Sequence, residues 1–345
     1  MNDIRRTILW VIFGFSMVLL WDQWQVHNGK KATFFPSPAQ QVAPAAVGAS
    51  GPLPAASDAG VPAAVAQAGT AMAPVAPVAP TAPKERFEVT TDVLKLTFDT
   101  EGGSLVRTEF LKYSDMADKT RNFVLLDDSK DRVYMAQTGV IAGAAGGAFP
   151  THKTPMAVTG ERVLKEGANE LVVKFTSPDV GGIKLVKTYT LRRGAYDATV
   201  KHELTNTSTA AIAPQLYLQL VRDGNKPAGE SSFYSTFTGP AVYTEAKKYQ
   251  KAEFSDIKKK NVDVEKQASN GYIAMVQHYF ASAWILPDGI QRNLSLDAVD
   301  IGASVPDCCY RTTMIAPLEA IAPGATKVVD AKFFAGPQEE KMLES

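Results

Sequence analysis

Residues 94–111, LKLTFDTEGGSLVRTEFL, decide the fold class. Leu94, Leu96 and Phe98 fall on one side of an extended chain, and Lys95 and Thr97 on the other. That period of two marks a half-buried strand. Glu101-Gly102-Gly103 then supplies turn chemistry, and residues 104–111 run back beside the first strand. The same alternation recurs downstream. It predicts strands over residues 122–126, 133–136, 171–176, 183–191, 196–204, 215–221, 272–286, 311–316 and 327–335. Turn residues separate them at Ser177-Pro178-Asp179, Arg193-Gly194, Asn206-Thr207-Ser208, Pro287-Asp288-Gly289 and Pro323-Gly324. Many strands with no helical pattern between them predict an all-β, antiparallel sandwich over residues 84–336.

Residues 337–345 depart from this pattern. Gly336-Pro337 is expected to end the last strand, and QEEKMLES over 338–345 has the composition of a beginning helix, with acids in its first turn.

At the other end, residues 1–30 read as a membrane anchor. Ile8 to Trp21 holds no charge, and extending to Ile4 and Trp24 gives 21 residues with Arg5, Arg6 and Asp22 at the ends. At ~1.5 Å per residue a helix of that length spans roughly 30 Å, the hydrocarbon thickness of a bilayer. Ile8, Trp10, Phe13, Leu20, Trp21 and Trp24 are the expected lipid-facing and interfacial residues. Arg5 and Arg6 flank the short N-terminal side, which predicts a cytoplasmic N-terminus and a main domain on the far side of the membrane. A cleaved signal peptide needs small residues soon after the apolar run, and Ala43-Pro44-Ala45 comes too late.

Residues 31–83 join anchor and domain. The stretch 36–83 holds 10 prolines and 17 alanines, with Asp58 as its only charge. Proline blocks helix and sheet, and alanine buries little area, so a disordered, partly extended tether is expected.

Charge and cysteine content exclude several functions. Residues 84–345 carry 32 bases and 33 acids, without the basic excess of a nucleic-acid binder. The two cysteines, Cys308 and Cys309, are adjacent, which argues against a disulfide framework or a zinc site and for half-buried strand positions. None of the four histidines, His27, His152, His202 and His278, sits in a metal- or base-forming motif. His202 and Glu203 fall on opposite faces of a strand. Gly139, Gly143, Gly146 and Gly147 read as a flexible loop, because no helix pattern follows them. Asn206-Thr207-Ser208 fits a glycosylation sequon but is explained by a turn. The densest charge lies over residues 244–266. Lys247, Lys248, Lys251, Lys258, Lys259 and Lys260 alternate there with five acids, in the pattern of a solvated face or of a surface that docks a partner.

The order of parts resembles a known family. Met1-Asn2-Asp3-Ile4-Arg5-Arg6 with Leu20-Trp21-Asp22-Gln23-Trp24 is similar to the signal-anchor of the YidC family of bacterial inner-membrane protein insertases. Lys248-Tyr249-Gln250-Lys251 with Phe254 and Ile257, and the stretch GYIAMVQHYFASAWI over 271–285, resemble parts of that family's periplasmic domain. Phe334-Ala335-Gly336-Pro337 with Lys341 and Leu343 resembles the junction to its membrane core. The resemblance implies a β-supersandwich similar to sugar-mutarotase-like folds, and localisation at the bacterial inner membrane. It implies insertion and folding of nascent membrane proteins, alone or with Sec translocon subunits, in contact with membrane lipid. It implies no nucleotide, metal or other cofactor, and no enzyme activity. The family's working part is a five-helix core with an intramembrane arginine, and no apolar run of that length follows Trp24, so no insertase site residue is carried over. The alternative is an anchored periplasmic carbohydrate-binding or mutarotase-like domain, which needs an acid and a base facing one cleft.

Overall fold

A computed structural model describes residues 60–64, 85–143, 147–227 and 236–338 of the chain. The anchor residues Ile8, Trp10, Phe13, Leu20, Trp21 and Trp24, most of the tether, Gly146 and the expected helix after Gln338 lie outside the described residues. Everything described falls in one unit, residues 55–345. Among the described residues no helix is long and apolar enough to cross a membrane.

The hairpin that decided the class forms as expected. Strand β1 is Arg86–Thr90, β2 Leu94–Asp99 and β3 Ser104–Ser114. Gly102 and Gly103 have φ of +72° and +58°. Both lie in the left-handed region that favours glycine, within the four-residue connection 100–103 between Asp99 and Ser104. A Cβ on Gly102 would also lie 2.4 Å from the His152 backbone, so only glycine fits. The chain continues through β4 Asn122–Asp128, β5 Val133–Ala142, β6 Ala157–Gly160, β7 Glu170–Val180, β8 Ile183–Arg192 and β9 Asp197–Asn206. Then come β10 Pro214–Arg222, β11 Thr238–Thr244, β12 Lys248–Lys251, β13 Gln267–Ala268, β14 Tyr272–Gln277 and β15 Phe280–Ile285. The last three are β16 Arg292–Ala298, β17 Tyr310–Pro317 and β18 Thr326–Pro337. A short helix, Phe254–Lys258, follows β12.

These strands make two nine-stranded sheets. The first has the order β1-β2-β3-β4-β5-β10-β17-β16-β13, the second β12-β11-β14-β15-β18-β9-β8-β7-β6. The pairings between named strands are antiparallel throughout. The inward faces meet in one apolar core. Phe98, Leu105, Phe110, Leu216, Leu218 and Leu220 come from the first sheet, and Phe175, Leu185, Val200, Ile273 and Trp284 from the second. Burying apolar side chains such as these is the main driving force for closing the two sheets on each other. At one end Phe110, Phe123 and Phe280 stack across the sheets, with Phe123 and Phe280 centroids 4.1 Å apart.

Polar bridges cross the same core. Trp284 Nε1 donates to the Gln219 carbonyl at 3.1 Å. Tyr189 donates to the Gly103 carbonyl at 3.1 Å. The Tyr134 hydroxyl donates to the Met275 carbonyl at 3.1 Å and lies 2.8 Å from Ser282 Oγ. Burial pushes the Tyr134 phenol up to about 12, so it remains a donor. Replacing it by phenylalanine leaves these acceptors buried without that donor. A loss of about 1–2 kcal/mol in urea unfolding is expected for Tyr134→Phe.

Several expectations need correction. Residues 272–286 are not one strand. They form the β14–β15 hairpin, which turns at His278-Tyr279, with His278 at φ +55°. The even apolar content of the stretch hid a two-residue turn that carries no glycine or proline. Ser177-Pro178-Asp179 lies inside β7, where the register shifts between Thr176 and Asp179, and the chain turns at Gly181-Gly182 instead. Gly336-Pro337 does end the last strand, as expected, but inside the sheet, with Pro337 opposite Phe280. Cys308 and Cys309 lie between β16 and β17, not in a strand. Strands β1, β6, β11, β12, β13 and β16 were not among those expected from the sequence.

Candidate functional site

Two regions gather polar chemistry outside the core: the lysine-bearing edge of the second sheet and the outer face of the first.

The structure brings the six lysines onto one continuous hairpin and helix. Strand β12 is the edge of the second sheet, and Lys248 and Lys251 sit on it. Lys247 lies in the β11–β12 turn, Lys258 ends the short helix, and Lys259 and Lys260 follow it. Three are paired: Lys247 with Asp263 at 3.4 Å, Lys248 with Glu245 at 2.8 Å, and Lys258 with Asp307 at 3.4 Å. The Glu245 hydrogen bond raises the Lys248 pKa, and Lys248 in turn holds the Glu245 carboxyl below its usual range. Lys251 lies over the Phe237 ring, 5.0 Å from its centroid. Lys259 and Lys260 stand exposed, and so does the aromatic Tyr249. Charge on an edge strand also keeps it from pairing with another sheet. The face therefore presents cations and one exposed ring to solvent.

The outer face of the first sheet is built from β5, β10 and β17. Most of their core-facing residues are apolar, and the alternate residues Gln137, Gln219, Arg311 and Thr313 point outward yet are buried. Arg311 grips Asp297 with two bonds, Nε to Oδ1 at 3.2 Å and Nη2 to Oδ2 at 2.6 Å. Gln219 Nε2 donates to Gln137 Oε1 at 2.7 Å. Beside them His152 Nδ1 is 2.7 Å from the Tyr217 hydroxyl. The cover comes from the tether. Gly60 presents its carbonyl to Arg311 Nη1 at 2.8 Å and to Gln219 Nε2 at 3.1 Å. Val61 packs against Ile141, Tyr217 and Ile315. Sequence reading missed this cluster. Its one signal was Gln215, Gln219, Arg311 and Thr313 at alternating positions in strands otherwise apolar.

The carbohydrate alternative needs an acid and a base facing one cleft. On this face Asp297 is engaged by Arg311, and His152 by Tyr217. Among the described residues no group of three or more His, Cys, Asp or Glu is placed to hold a metal ion. The sequon asparagine, Asn206, is buried and donates to the Ala210 and Ile321 carbonyls at 2.8 and 2.7 Å, in keeping with its reading as a turn.

An all-β antiparallel supersandwich with a strapped outer face is the class that fold and site define. The chain belongs to the YidC periplasmic domain family, whose model matches residues 86–345. Membrane protein insertase YidC of Bordetella parapertussis is 46% identical over 99% of this chain. The same-named protein of Cupriavidus necator is 47% identical over 99% of it. The chain spans about 60% of the length of these curated relatives. Solved structures similar to it include a putative aldose 1-epimerase from Escherichia coli K12, at 10% identity and a TM-score of 0.43, covering 73% of this chain and 99% of that one. A galactose mutarotase-like protein from Lactobacillus casei gives 10% identity and a TM-score of 0.42, covering 73% of this chain and 100% of that one.

Proposed function

We propose that this chain is the anchor, tether and periplasmic domain of a bacterial inner-membrane protein insertase. In this reading residues 1–30 cross the membrane with a cytoplasmic N-terminus and residues 31–83 form the tether. Residues 84–336 form the periplasmic domain, and residues 337–345 begin a helix. The domain assists insertion and folding of nascent membrane proteins, alone or beside the Sec translocon, by docking rather than by catalysis. The observation that carries it is the likeness along the whole chain to proteins named as insertases.

Docking is assigned to the lysine-bearing edge because Lys259, Lys260 and Tyr249 are exposed there on a rigid hairpin and helix. Exposed charges steer a partner and fix its register more than they add core affinity. A tethered domain also meets nearby partners at high effective concentration. Reversing both charges, Lys259→Glu with Lys260→Glu, is expected to reduce co-purification with translocon subunits about threefold or more at physiological salt. The melting temperature should stay within about 2 °C, since both side chains are on the surface. Unchanged recovery of translocon subunits would contradict this assignment.

A further inference from the structure

We infer that the outer face of the first sheet is a binding site for a short extended peptide of the form glycine, β-branched residue, proline, occupied in this chain by its own tether at Gly60–Val61–Pro62. The tether composition predicts a segment that binds nothing. Yet Gly60 and Pro62 are buried, and the Gly60 carbonyl receives two side-chain donors from strands β10 and β17.

Each part of the sequence has a fitted place. Gly60 has φ of +92°, a conformation that favours glycine. A Cβ there would sit 3.3 Å from Ile301 Cγ2 and 3.4 Å from His152 Nε2. Val61 meets the apolar patch of Ile141, Tyr217 and Ile315. Proline in the third place has no N–H to leave unpaired. The donors are prepared before the peptide arrives. Asp297 holds the Arg311 fork, and Gln137 orients the Gln219 amide.

The floor also keeps unused capacity. Gln219 Oε1 and Thr313 Oγ1 are buried and unpartnered, and the two residues are directly opposite in the β10–β17 register. A buried polar atom without a partner costs about 1–3 kcal/mol, so a site that carries two is suited to a ligand that can reach them. Among the described residues the docked tether engages only the donors.

Docking also shortens the tether. Of its Pro- and Ala-rich stretch 36–83, only residues 36–59 precede the dock. At ~3.1 Å per residue in polyproline II, contour falls from roughly 150 Å to roughly 75 Å. The strap therefore halves how far the domain ranges from the apolar N-terminal segment while it is bound.

Methyl NMR on the full chain in detergent micelles tests this. In the unmodified chain the Val61 methyls should show cross-relaxation to Ile141 and Ile315. In Gly60→Val these contacts should disappear, and in Gln219→Leu they should weaken while the rest of the spectrum is preserved. Acetyl-Gly-Val-Pro-Ala-Ala-amide, added to about 5 mM, should shift the Ile141 and Ile315 methyls of Gly60→Val. In the unmodified chain the same peptide should need a higher concentration to give the same shift, because the tether competes for the site. Val61 methyls at random-coil positions in the unmodified chain would overturn the docking. Peptide shifts that are equal in the two chains, or absent from both, would overturn the site.

Discussion

Replacing Arg292 by leucine is expected to cost about 3–5 kcal/mol of unfolding free energy, more than any other single substitution on this domain's polar groups. Arg292 is 1% exposed, and its guanidinium donates five bonds to backbone carbonyls. These are Ile290 at 2.9 Å, Gly271 at 2.9 Å, Leu286 at 3.2 Å, Ser269 at 3.2 Å and Pro287 at 2.6 Å. The acceptors matter because of where the chain runs. Strands β13 and β16 belong to the first sheet, and β14 and β15 to the second. The chain therefore crosses between sheets twice, at residues 269–271 and 286–291, and Arg292 ties both crossings together. Leucine fills part of the volume and satisfies none of the carbonyls. Lysine keeps the charge but has a point donor in place of a planar fork, so Arg292→Lys should recover less than half of the loss. Urea unfolding of the solubilised chain measures both variants, and a loss under about 1 kcal/mol for Arg292→Leu would show that the crossings hold without the knot.

The second large effect is a pH dependence seated on one buried cation. Lys187 lies on the inward face of β8, fully buried, and donates to the Gly102 and Thr138 carbonyls, both at 2.6 Å. Among the described residues no carboxylate pairs with it in a salt bridge. Burial lowers its pKa from 10.5 to about 7. Between those values the unfolded chain holds a proton that the folded chain lacks. Stability therefore rises with pH from about 7 toward 10.5, at about 1.4 kcal/mol per pH unit, and the full penalty is present below pH 7.

His202 adds a limb on the acid side. Its Nε2 lies 3.0 Å from Thr138 Oγ1, and burial, then the Lys187 charge, lowers its pKa from 6.5 to about 3. That contribution is complete above pH 6.5 and is lost as pH falls toward 3. Lys187→Met should flatten the slope between pH 7 and 9. It should also shrink the acid limb, because it removes one cause of the His202 shift. At pH 7 it should be at least as stable as the parent, since removing a buried unpaired charge offsets two lost hydrogen bonds. A parent-like slope in the methionine variant, read by urea unfolding at several pH values, would place the titration elsewhere.

Much of the fold was legible from alternation. In β8, Ile183, Leu185, Tyr189 and Leu191 mark the inward face, and β9 and β10 read as clearly. The same pattern carries a subtler signal. Lys187 occupies an inward position in β8, and His202 one in β9, so the alternation of their apolar neighbours already marks both as buried. What alternation could not supply was where the chain changes sheet. The β14–β15 turn carries His278-Tyr279 and no breaker residue, and the crossings near Arg292 are fixed by side-chain-to-carbonyl bonds between distant segments. The strap was hidden for a related reason. Gly60, Val61 and Pro62 are ordinary tether residues, and their docking depends on Gln219 and Arg311, more than 150 positions away in sequence. The lysine cluster was visible from composition. Its division into paired and exposed members was not, because Asp307 reaches Lys258 only through the fold.

Photocrosslinking from position 259, compared with position 174 on the exposed side of β7, tests the docking assignment most directly. With a photoreactive residue at each site in turn and the chain in inner membranes beside the Sec translocon, crosslinks to translocon subunits are expected from 259 and not from 174. Crosslinks of equal yield from both positions, or from 174 alone, would contradict docking through the lysine-bearing edge.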